Sequence, residues 1–347
     1  MKSLLLGNGI NIQFGGKAYS NEFIMKRIKY RAALENYHEI FGNVLTSKEI
    51  VRILDSFVDI ANDIRNGGYD EYTVDDDTSL ALNDFKQRYT SKLTASHEIM
   101  LEDWFFILHM FFLKNNDLGD NVVSVKQGFE HLILDGIYNN GKIQELYLGI
   151  SKKVKRYFAS FDKVFTLNYD NNIERLINRK VYHLHGDFSV LANSENSNNV
   201  QGFIRRNENS TVVVDGMEHC FCNALLNYSG HLKYKIANDN HNLIIESEQF
   251  KWRYDNDPNF FVQLQSIKDI KPFEYDMIMT KIANPELNMA TEYYFYILER
   301  IQDELNIMGM SPNNDGHIFD IIIKNQDIKK VNFYYWVCVK ISDSLIR

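Results

Sequence analysis

The chain of 347 residues has few cysteines, no long apolar run and no excess of basic residues. Its three cysteines, Cys220, Cys222 and Cys338, are too few and too odd in number for a disulfide framework, which is typical of a reducing compartment. The 38 Lys and Arg residues are outnumbered by 46 Asp and Glu residues, so the net charge is −8. An acidic chain without a basic block is a poor candidate for binding duplex nucleic acid. We therefore expect no direct contact with nucleic acid.

No segment predicts insertion into a membrane. The apolar run Leu4–Leu6 ends at Gly7, far short of the core of a signal peptide. The most apolar stretch, residues 104–113, contains His109 and has about half the length of a membrane helix. The chain is 45% hydrophobic, which is enough for a large buried core. We expect a cytoplasmic protein without membrane contact.

Short apolar strands separated by helical segments predict an α/β fold. A strand at 3–6 runs into a glycine turn, and residues 20–159 then read as a helical insert without convincing strands. A strand at 163–166, a short helix at 172–177 and a strand at 181–185 have the pattern of a parallel α/β unit. Within the insert, a capping box at Thr46–Glu49 and helical spacing predict helices from about 46 and over 96–113, 121–138 and 142–159.

The second half of the chain continues this alternation. Residues 191–209 are rich in Asn and Ser and predict an exposed loop or lid. Residues 217–302 predict a second helical insert, and 303–347 return to α/β, with strands at 305–308 and 331–339. We expect one domain over residues 1–347. Its Rossmann-like parallel sheet would combine the first strand, the 160–190 segment and the C-terminal segment, with the helical inserts over its cleft.

Four glycine-containing or polar turns each follow a predicted strand, where open α/β sheets bind ligands. They are Gly7-Asn8-Gly9 with Asn11 close behind, the run from Thr166 through Asn168 to Asp170, His183-Leu184-His185-Gly186, and Gly309-Met310-Ser311. A Gly-x-Gly turn lets backbone amides approach a pyrophosphate. Asn168 and Asp170 can direct an amide and a carboxylate at one ligand. Two histidines at i and i+2 of a strand share a face.

Each motif also has an ordinary structural explanation. Gly7–Gly9 fits a tight turn, Asp170 fits the N-cap of a helix, and Gly309–Ser311 fits a plain loop between strand and helix. Two histidines in one strand are often structural. His219 with Cys220 and Cys222 is only a fragment of a zinc pattern, so no metal is expected.

In their order along the chain, the four motifs resemble those of sirtuin-like NAD-binding proteins. Gly7–Asn11 matches the frame of the sirtuin Gly-Ala-Gly-Ile-Ser turn, and Thr166–Asp170 is similar to the sirtuin Thr-Gln-Asn-Ile-Asp run. His185-Gly186 resembles the catalytic His-Gly, and Gly309–Ser311 resembles Gly-Thr-Ser. The opening Leu-Leu-Gly-Asn-Gly-Ile and the closing Gly-x-Ser…Asp look still more like the bacterial sirtuin-like, AbiH-like proteins of phage defence.

The departures from sirtuins affect which activity the resemblance implies. Three cysteines cannot form the four-cysteine zinc ribbon of the protein deacylases, and the Pro-Asp-Phe-Arg segment that sirtuins place over NAD is absent. The resemblance therefore implies hydrolysis of NAD⁺ to ADP-ribose and nicotinamide, as the effector of a bacterial anti-phage, abortive-infection system. NAD⁺ would be the substrate, not a resident cofactor.

The resemblance also implies roles for particular residues. Asn168 would hold the ribose or the attacking water, and His185 would take a proton from that water or from a ribose hydroxyl. Asp170 would bind the nicotinamide amide or support the ribose, and Ser311 would contact the adenosine half. Six further residues are expected to contact NAD⁺, and the first three would cradle its pyrophosphate. They are Gly7, Asn8, Gly9, Asn11, Thr166 and Gly309.

An activity that consumes NAD⁺ must be silent in a healthy cell. The chain has no recognisable sensor module, so we expect control by homo-oligomerisation or by a partner such as an ATPase or a phage protein. Two other functions remain open at this point. The protein can be a sensor that binds NAD or ADP-ribose without cleaving it, or a structural subunit of a defence complex.

Overall fold

The computed structural model describes residues 1–34, 37, 39–115, 119–190, 192–193, 196–200, 203–204, 216–311 and 315–334. The strands in these residues are β1 (Lys2–Leu6), β2 (Lys163–Thr166), β3 (Tyr182–His183), β4 (Ala192–Asn193), β5 (Asn196–Val200), β6 (Phe203–Ile204), β7 (Asp303–Met308) and β8 (Ile328–Tyr334). The α-helices are α1 (Gly9–Gly15), α2 (Asn21–Ala32), α3 (Ser47–Arg65), α4 (Asp76–Arg88), α5 (Leu101–Lys114), α6 (Val122–Tyr138), α7 (Lys152–Ala159), α8 (Asn172–Ile177), α9 (Gly230–Ser247), α10 (Phe250–Asn256), α11 (Pro258–Ile267), α12 (Pro272–Ala283), α13 (Phe295–Leu298) and α14 (Gly316–Lys324).

Five strands form an all-parallel sheet in the order β3-β2-β1-β7-β8. The chain builds outwards from β1 through β2 to β3, and it later returns to the other side of β1 with β7 and β8. The direction of building therefore reverses between β1 and β7. Such a switch point opens a crevice at the carboxyl edge of the sheet. The predicted α/β fold with a parallel sheet is confirmed.

The central strand β1 is buried on both faces. Leu5 packs with Phe165 in one hydrophobic cluster, and Leu4 packs with Val164 in another. Neighbouring residues of a strand point to opposite faces, so both faces of β1 require apolar side chains. A strand of a parallel sheet covered on both sides consequently reads as a continuous apolar run.

The helices between β1 and β2 pack around a large hydrophobic core, to which Tyr169, Phe188 and buried residues between Cys220 and Leu226 also contribute. The capping box predicted at Thr46–Glu49 is confirmed at the start of α3, because Thr46 Oγ1 accepts from the Glu49 amide at 3.3 Å and Glu49 Oε2 accepts from the Thr46 amide at 2.8 Å. Phe57 of α3 packs its ring edge-on against Trp104 of α5, with 4.9 Å between ring centroids. None of the described helices has both the length and the apolar character needed to cross a membrane.

Two predicted helices differ from the structure. The segment 142–159 is a 3₁₀ helix at Lys142–Gly149 followed by α7, because the Ser151 hydroxyl accepts from the Val154 amide and starts a new helix. The segment 96–113 begins with a 3₁₀ turn at Ser96–Glu98, and its α-helix starts only at Leu101.

Residues 191–209, which we predicted as an exposed loop or lid, contain the antiparallel sheet β4-β5-β6 in their described part. Pairing through backbone hydrogen bonds does not require apolar side chains, so the Asn and Ser content did not reveal it. The predicted strand at 181–185 is only two residues long. The predicted strand at 331–339 is β8, which begins three residues earlier; residues 335–347, including Cys338, lie outside the described part of the chain.

Gly186 follows β3 at a point where two backbone segments cross. Its φ is +82°, and a Cβ there would lie 2.3 Å from the carbonyl oxygen of Asn223. We expect Gly186→Ala to lower the free energy of unfolding by at least about 1–3 kcal/mol, the cost of a left-handed alanine alone. Urea unfolding measures this change. The control is Gly149→Ala, where an added Cβ meets no atom within 4 Å and a change within about 0.5 kcal/mol is expected. Equal free energies of unfolding for the two variants would contradict the close approach of the backbone at Gly186 and Asn223.

Candidate active site

A cavity of about 810 Å³ lies at the carboxyl edge of the sheet, at the switch point between β1 and β7. This volume is within the range of about 300–1,000 Å³ that small-molecule and cofactor sites occupy. The turns after β1, β2, β3 and β7 line it, together with residues of α2, α5 and α6 from the first insert. Its lining includes the following residues expected from the sequence to contact NAD⁺: Gly7, Asn8, Gly9, Asn11, Asn168, His185, Gly309 and Ser311.

The glycines after β1 and β7 let the two turns touch each other. The Gly7 amide donates to Met308 O at 2.9 Å, and the Gly9 amide donates to Gly309 O at 2.8 Å. A Cβ on Gly7 would lie 2.6 Å from Gly309 O. Both amides are thus engaged within the protein, and the need for glycine is explained by the packing of the two turns. This geometry favours the tight-turn explanation of Gly7 and Gly9.

Asn168 connects the turn after β2 to the turn after β1. Its Nδ2 donates to Gly7 O at 3.4 Å, and its backbone amide donates to Thr166 Oγ1 at 3.1 Å. Thr166 is buried at the end of β2 and does not line the cavity. Thr166 therefore shapes the turn that presents Asn168.

Asp170 is a buried residue that contacts Asn11, a residue of the cavity lining. It is 2% exposed and lies outside the cavity lining. Its carboxylate accepts from Asn11 Nδ2 at 2.6 Å and from the Asn172 amide at 3.1 Å, which orders the start of α8. Burial raises the pKa of Asp170, although these donors lower it. Asp170 thus connects the β1 turn to the start of α8, but the N-cap of α8 is Asn171, so the predicted N-cap role of Asp170 is wrong.

The side chains of His183, in β3, and of His185, two residues further on, do not lie on the same face. His183 lies between the Asn168 carbonyl oxygen, at 3.0 Å from Nδ1, and the carboxylate of Glu174 at Nε2. Burial lowers the pKa of His183, but Glu174 outweighs burial and raises it to about 9. His185 instead lines the cavity. The i, i+2 rule fails because β3 ends at His183, and the backbone beyond it is no longer extended strand.

His185 is a neutral imidazole at pH 7. It is 4% exposed, and its ring stacks on that of His317 with 5.6 Å between centroids. Burial, with smaller effects from Lys233 and His317, holds its pKa well below 6.5. Its Nε2 has no hydrogen-bond partner among the described residues. A neutral ring offers one donor and one acceptor nitrogen, so His185 suits hydrogen bonding to a ligand better than proton transfer.

Glu102, which sequence analysis missed, is a charged group in the cavity. Its side chain is 19% exposed, lines the cavity, and accepts from Tyr169 Oη at 3.1 Å and Lys233 Nζ at 3.2 Å. Lys233 comes from α9 of the second insert, and its side chain is 2% exposed. Burial raises the pKa of Glu102, but Lys233 and the hydrogen bonds lower it more. The only sequence signal was a pair of acidic residues, Glu102 and Asp103, at the start of an otherwise apolar helix.

Asp315 is the second carboxyl group in the cavity. Burial and the negative charge of Glu102 raise its pKa to about 7, despite opposing effects of Lys233 and Arg88. In the sequence, Asp315 follows shortly after the Gly309–Ser311 turn, and no role was predicted for it. Two carboxyl groups whose surroundings push their pKa values apart are the usual arrangement of acid–base sites.

The fold and the cavity define an α/β protein with a ligand-sized cleft at the switch point of a parallel sheet. Comparisons with protein-family models, with curated proteins and with solved structures found no match for this chain. Within the described ranges, no group of three or more His, Cys, Asp or Glu side chains is arranged to hold a metal ion. The fragment around Cys220 packs internally, with the thiol against His131 O and His219 Nε2 2.8 Å from Asp135.

Proposed function

We propose that this protein is an NAD⁺ hydrolase with a sirtuin-like nucleotide site, which cleaves NAD⁺ to ADP-ribose and nicotinamide. The observation that carries the proposal is the cavity itself, where the four motif turns, Asn168 and His185 come together. They meet at the switch point of a parallel sheet, the usual place for nucleotides in such folds.

The charge of the cavity suits this reaction. Cleavage of the bond between nicotinamide and ribose releases a neutral leaving group and builds positive charge on the ribose, as in glycoside hydrolysis. The described lining contains the carboxyl groups of Glu102 and Asp315 but no Lys or Arg side chain. The negative charge of Glu102 stabilises the transition state more than the reactants if it lies where positive charge develops on the ribose.

Asn168 and His185 supply neutral hydrogen-bonding groups in the same cavity. The amide of Asn168 is anchored on Gly7 O and can hold a ribose hydroxyl or the attacking water. His185, neutral and with a free Nε2, can orient a ribose hydroxyl. Both groups position the substrate in this proposal, and neither has to change its charge.

As the effector of an anti-phage system, the enzyme would need external control. We retain homo-oligomerisation, or a partner ATPase or phage protein, as the proposed means of activation. Oligomer-dependent activity predicts that the specific rate rises steeply with protein concentration.

Nicotinamide release from NAD⁺ by the purified protein tests the proposal. We expect Asn168→Ala to lower the rate by about 100-fold or more, the typical effect of losing one oriented hydrogen-bonding group in an active site. Measurements over a range of protein concentrations reveal activation by assembly. Asn242→Ala, an exposed asparagine on α9, is the matched control and should keep the full rate.

Three results would contradict parts of this proposal. Full activity of Asn168→Ala would show that the site is assigned wrongly. If the wild type binds NAD⁺ but releases no nicotinamide at any concentration, the protein is a sensor of the nucleotide. If it does not bind NAD⁺ at all, the structural-subunit alternative holds.

A further inference from the structure

The carboxyl group of Asp315 is not used by the helix that it precedes. Asp315 occupies the N-cap position of α14, and its carbonyl oxygen accepts from the amides of Ile318 and Phe319 at 2.9 and 3.2 Å. An N-cap aspartate normally also accepts an amide bond with its side chain. Here the side chain makes no such bond, and no described residue hydrogen-bonds to it. The carboxyl group is therefore available to a ligand in the cavity that it lines.

Charged and titratable groups surround Asp315 from four elements. Glu102 from α5 adds negative charge, and Lys233 from α9 and Arg88 from α4 add positive charge. Tyr169, in the turn after β2, is the fourth, and its pKa is raised far above 10 by burial and by Glu102. The other carboxyl group of the described lining, Glu102, is already paired with Lys233 and Tyr169. Asp315 is thus the one carboxyl group of the described lining whose oxygens have no partner within the described residues.

The two histidines near Asp315 do not compete for a proton at neutral pH. His185 and His317 are both buried, and burial holds the pKa of each well below 6.5. A general base is most effective when its pKa lies near the working pH. Asp315, with a pKa of about 7, meets this condition, whereas Glu102 and the two histidines do not.

We propose that Asp315 accepts the proton of the attacking water, while Glu102 stays charged and stabilises the ribose cation. This role rests on the proposed NAD⁺ hydrolysis and replaces the proton transfer that the sequence suggested for His185. The bond between C1′ and the nicotinamide nitrogen breaks, and both electrons leave with nicotinamide. The water oxygen bonds to C1′, and its proton passes to the Asp315 carboxylate and then to solvent. The products are ADP-ribose, nicotinamide and one proton.

The pH dependence of kcat and of kcat/KM for nicotinamide release tests the role of Asp315. In the wild type, the rate rises with pH through about 7, because only the deprotonated carboxylate accepts a proton. Asp315→Asn is expected to lower kcat by about 10²–10⁴-fold. It should also abolish this rise of the rate with pH, which is the acid limb of the pH profile. The Kd for NAD⁺, measured by calorimetry, should change little. Asp327→Asn, an exposed aspartate after α14, is the matched control.

Glu102→Gln provides a second, independent readout. The substitution removes the negative charge of Glu102 and leaves the positive charge of Lys233 in place. Both effects lower the pKa of Asp315, so the acid limb shifts to lower pH. A merely structural role of Glu102 would lower the rate at every pH and leave the limb in place. An unmoved limb in Glu102→Gln would overturn the proposal.

Infrared difference spectra of the protonated carboxyl group separate this proposal from the proposed function, because they need no turnover. We expect a band that titrates near pH 7 in the wild type and is missing in Asp315→Asn. Absence of that band overturns the proposal whatever the activity. If Asp315→Asn keeps the full rate and the acid limb, Asp315 is excluded while the hydrolase stands. If the wild type releases no nicotinamide although the band is present, the proposed function fails, and the catalytic role of Asp315 fails with it.

Discussion

Asp103→Ala is expected to lower the free energy of unfolding by about 3–5 kcal/mol, the usual cost of breaking a buried ion pair from one side. Asp103 is fully buried, and its two oxygens accept from Arg88 Nη1 at 2.7 and 2.6 Å. The Tyr89 hydroxyl donates to the same carboxylate at 2.6 Å. The Arg88 side chain is only 7% exposed, so the substitution leaves an unpaired cation in the protein interior.

Urea unfolding of three variants measures this effect and its cause. If the unpaired charge is responsible, the double variant Arg88→Met with Asp103→Leu recovers much of the lost stability, because an apolar pair of similar volume replaces a buried ion pair at little cost. Glu22→Gln, which breaks the exposed Lys26–Glu22 pair on α2, is the control and should unfold like the wild type. A loss below about 1 kcal/mol for Asp103→Ala would contradict the burial of this pair.

His185→Ala is expected to lower nicotinamide release by about 100-fold or more. The imidazole lines the cavity, and its Nε2 is a buried hydrogen-bonding atom without a partner among the described residues. Because no described residue hydrogen-bonds to Nε2, removing the ring breaks no protein hydrogen bond at that atom. A ligand that bonds to it would lose that bond, and the rate would fall.

His185→Phe separates hydrogen bonding from packing at this position. Phenylalanine keeps an aromatic ring against His317 and Phe295, which lie 5.6 and 6.4 Å from the His185 ring centroid. If hydrogen bonding matters, His185→Phe is as inactive as the alanine variant although it folds. High activity of His185→Phe would mean that the ring only fills space. The pH–rate profile should not report His185, since its pKa is held well below 6.5.

Local patterns predicted the elements that carry the motif turns. Lys163–Thr166 and Asn172–Ile177 have the predicted bounds, because an apolar strand and a short amphipathic helix each depend on a few neighbouring residues. The capping box at Thr46 was predictable for the same reason. The side-chain direction of His185 was not predictable, because it depends on where β3 ends.

The carboxyl groups of the cavity could not be predicted from the sequence. Glu102 lies in the first insert, Lys233 in the second and Asp315 in the C-terminal segment, and no short motif connects them. Their pKa values depend on burial and on each other's charge, which exist only after the inserts fold over the sheet. The first helical insert, which was predicted only to cover the cleft, thus also supplies an ionisable side chain to it.

The sequence by itself determined the alternation of strands and helices, the parallel sheet and the position of four turns at strand ends. These features follow from local periodicity and from backbone constraints within each segment. Only the tertiary structure decided that Thr166 and Asp170 support the site from outside the cavity, while Glu102 and Asp315 line it. The physical reason is that a local pattern sets what a segment can form, whereas burial and the charge of distant neighbours set what its side chains can do.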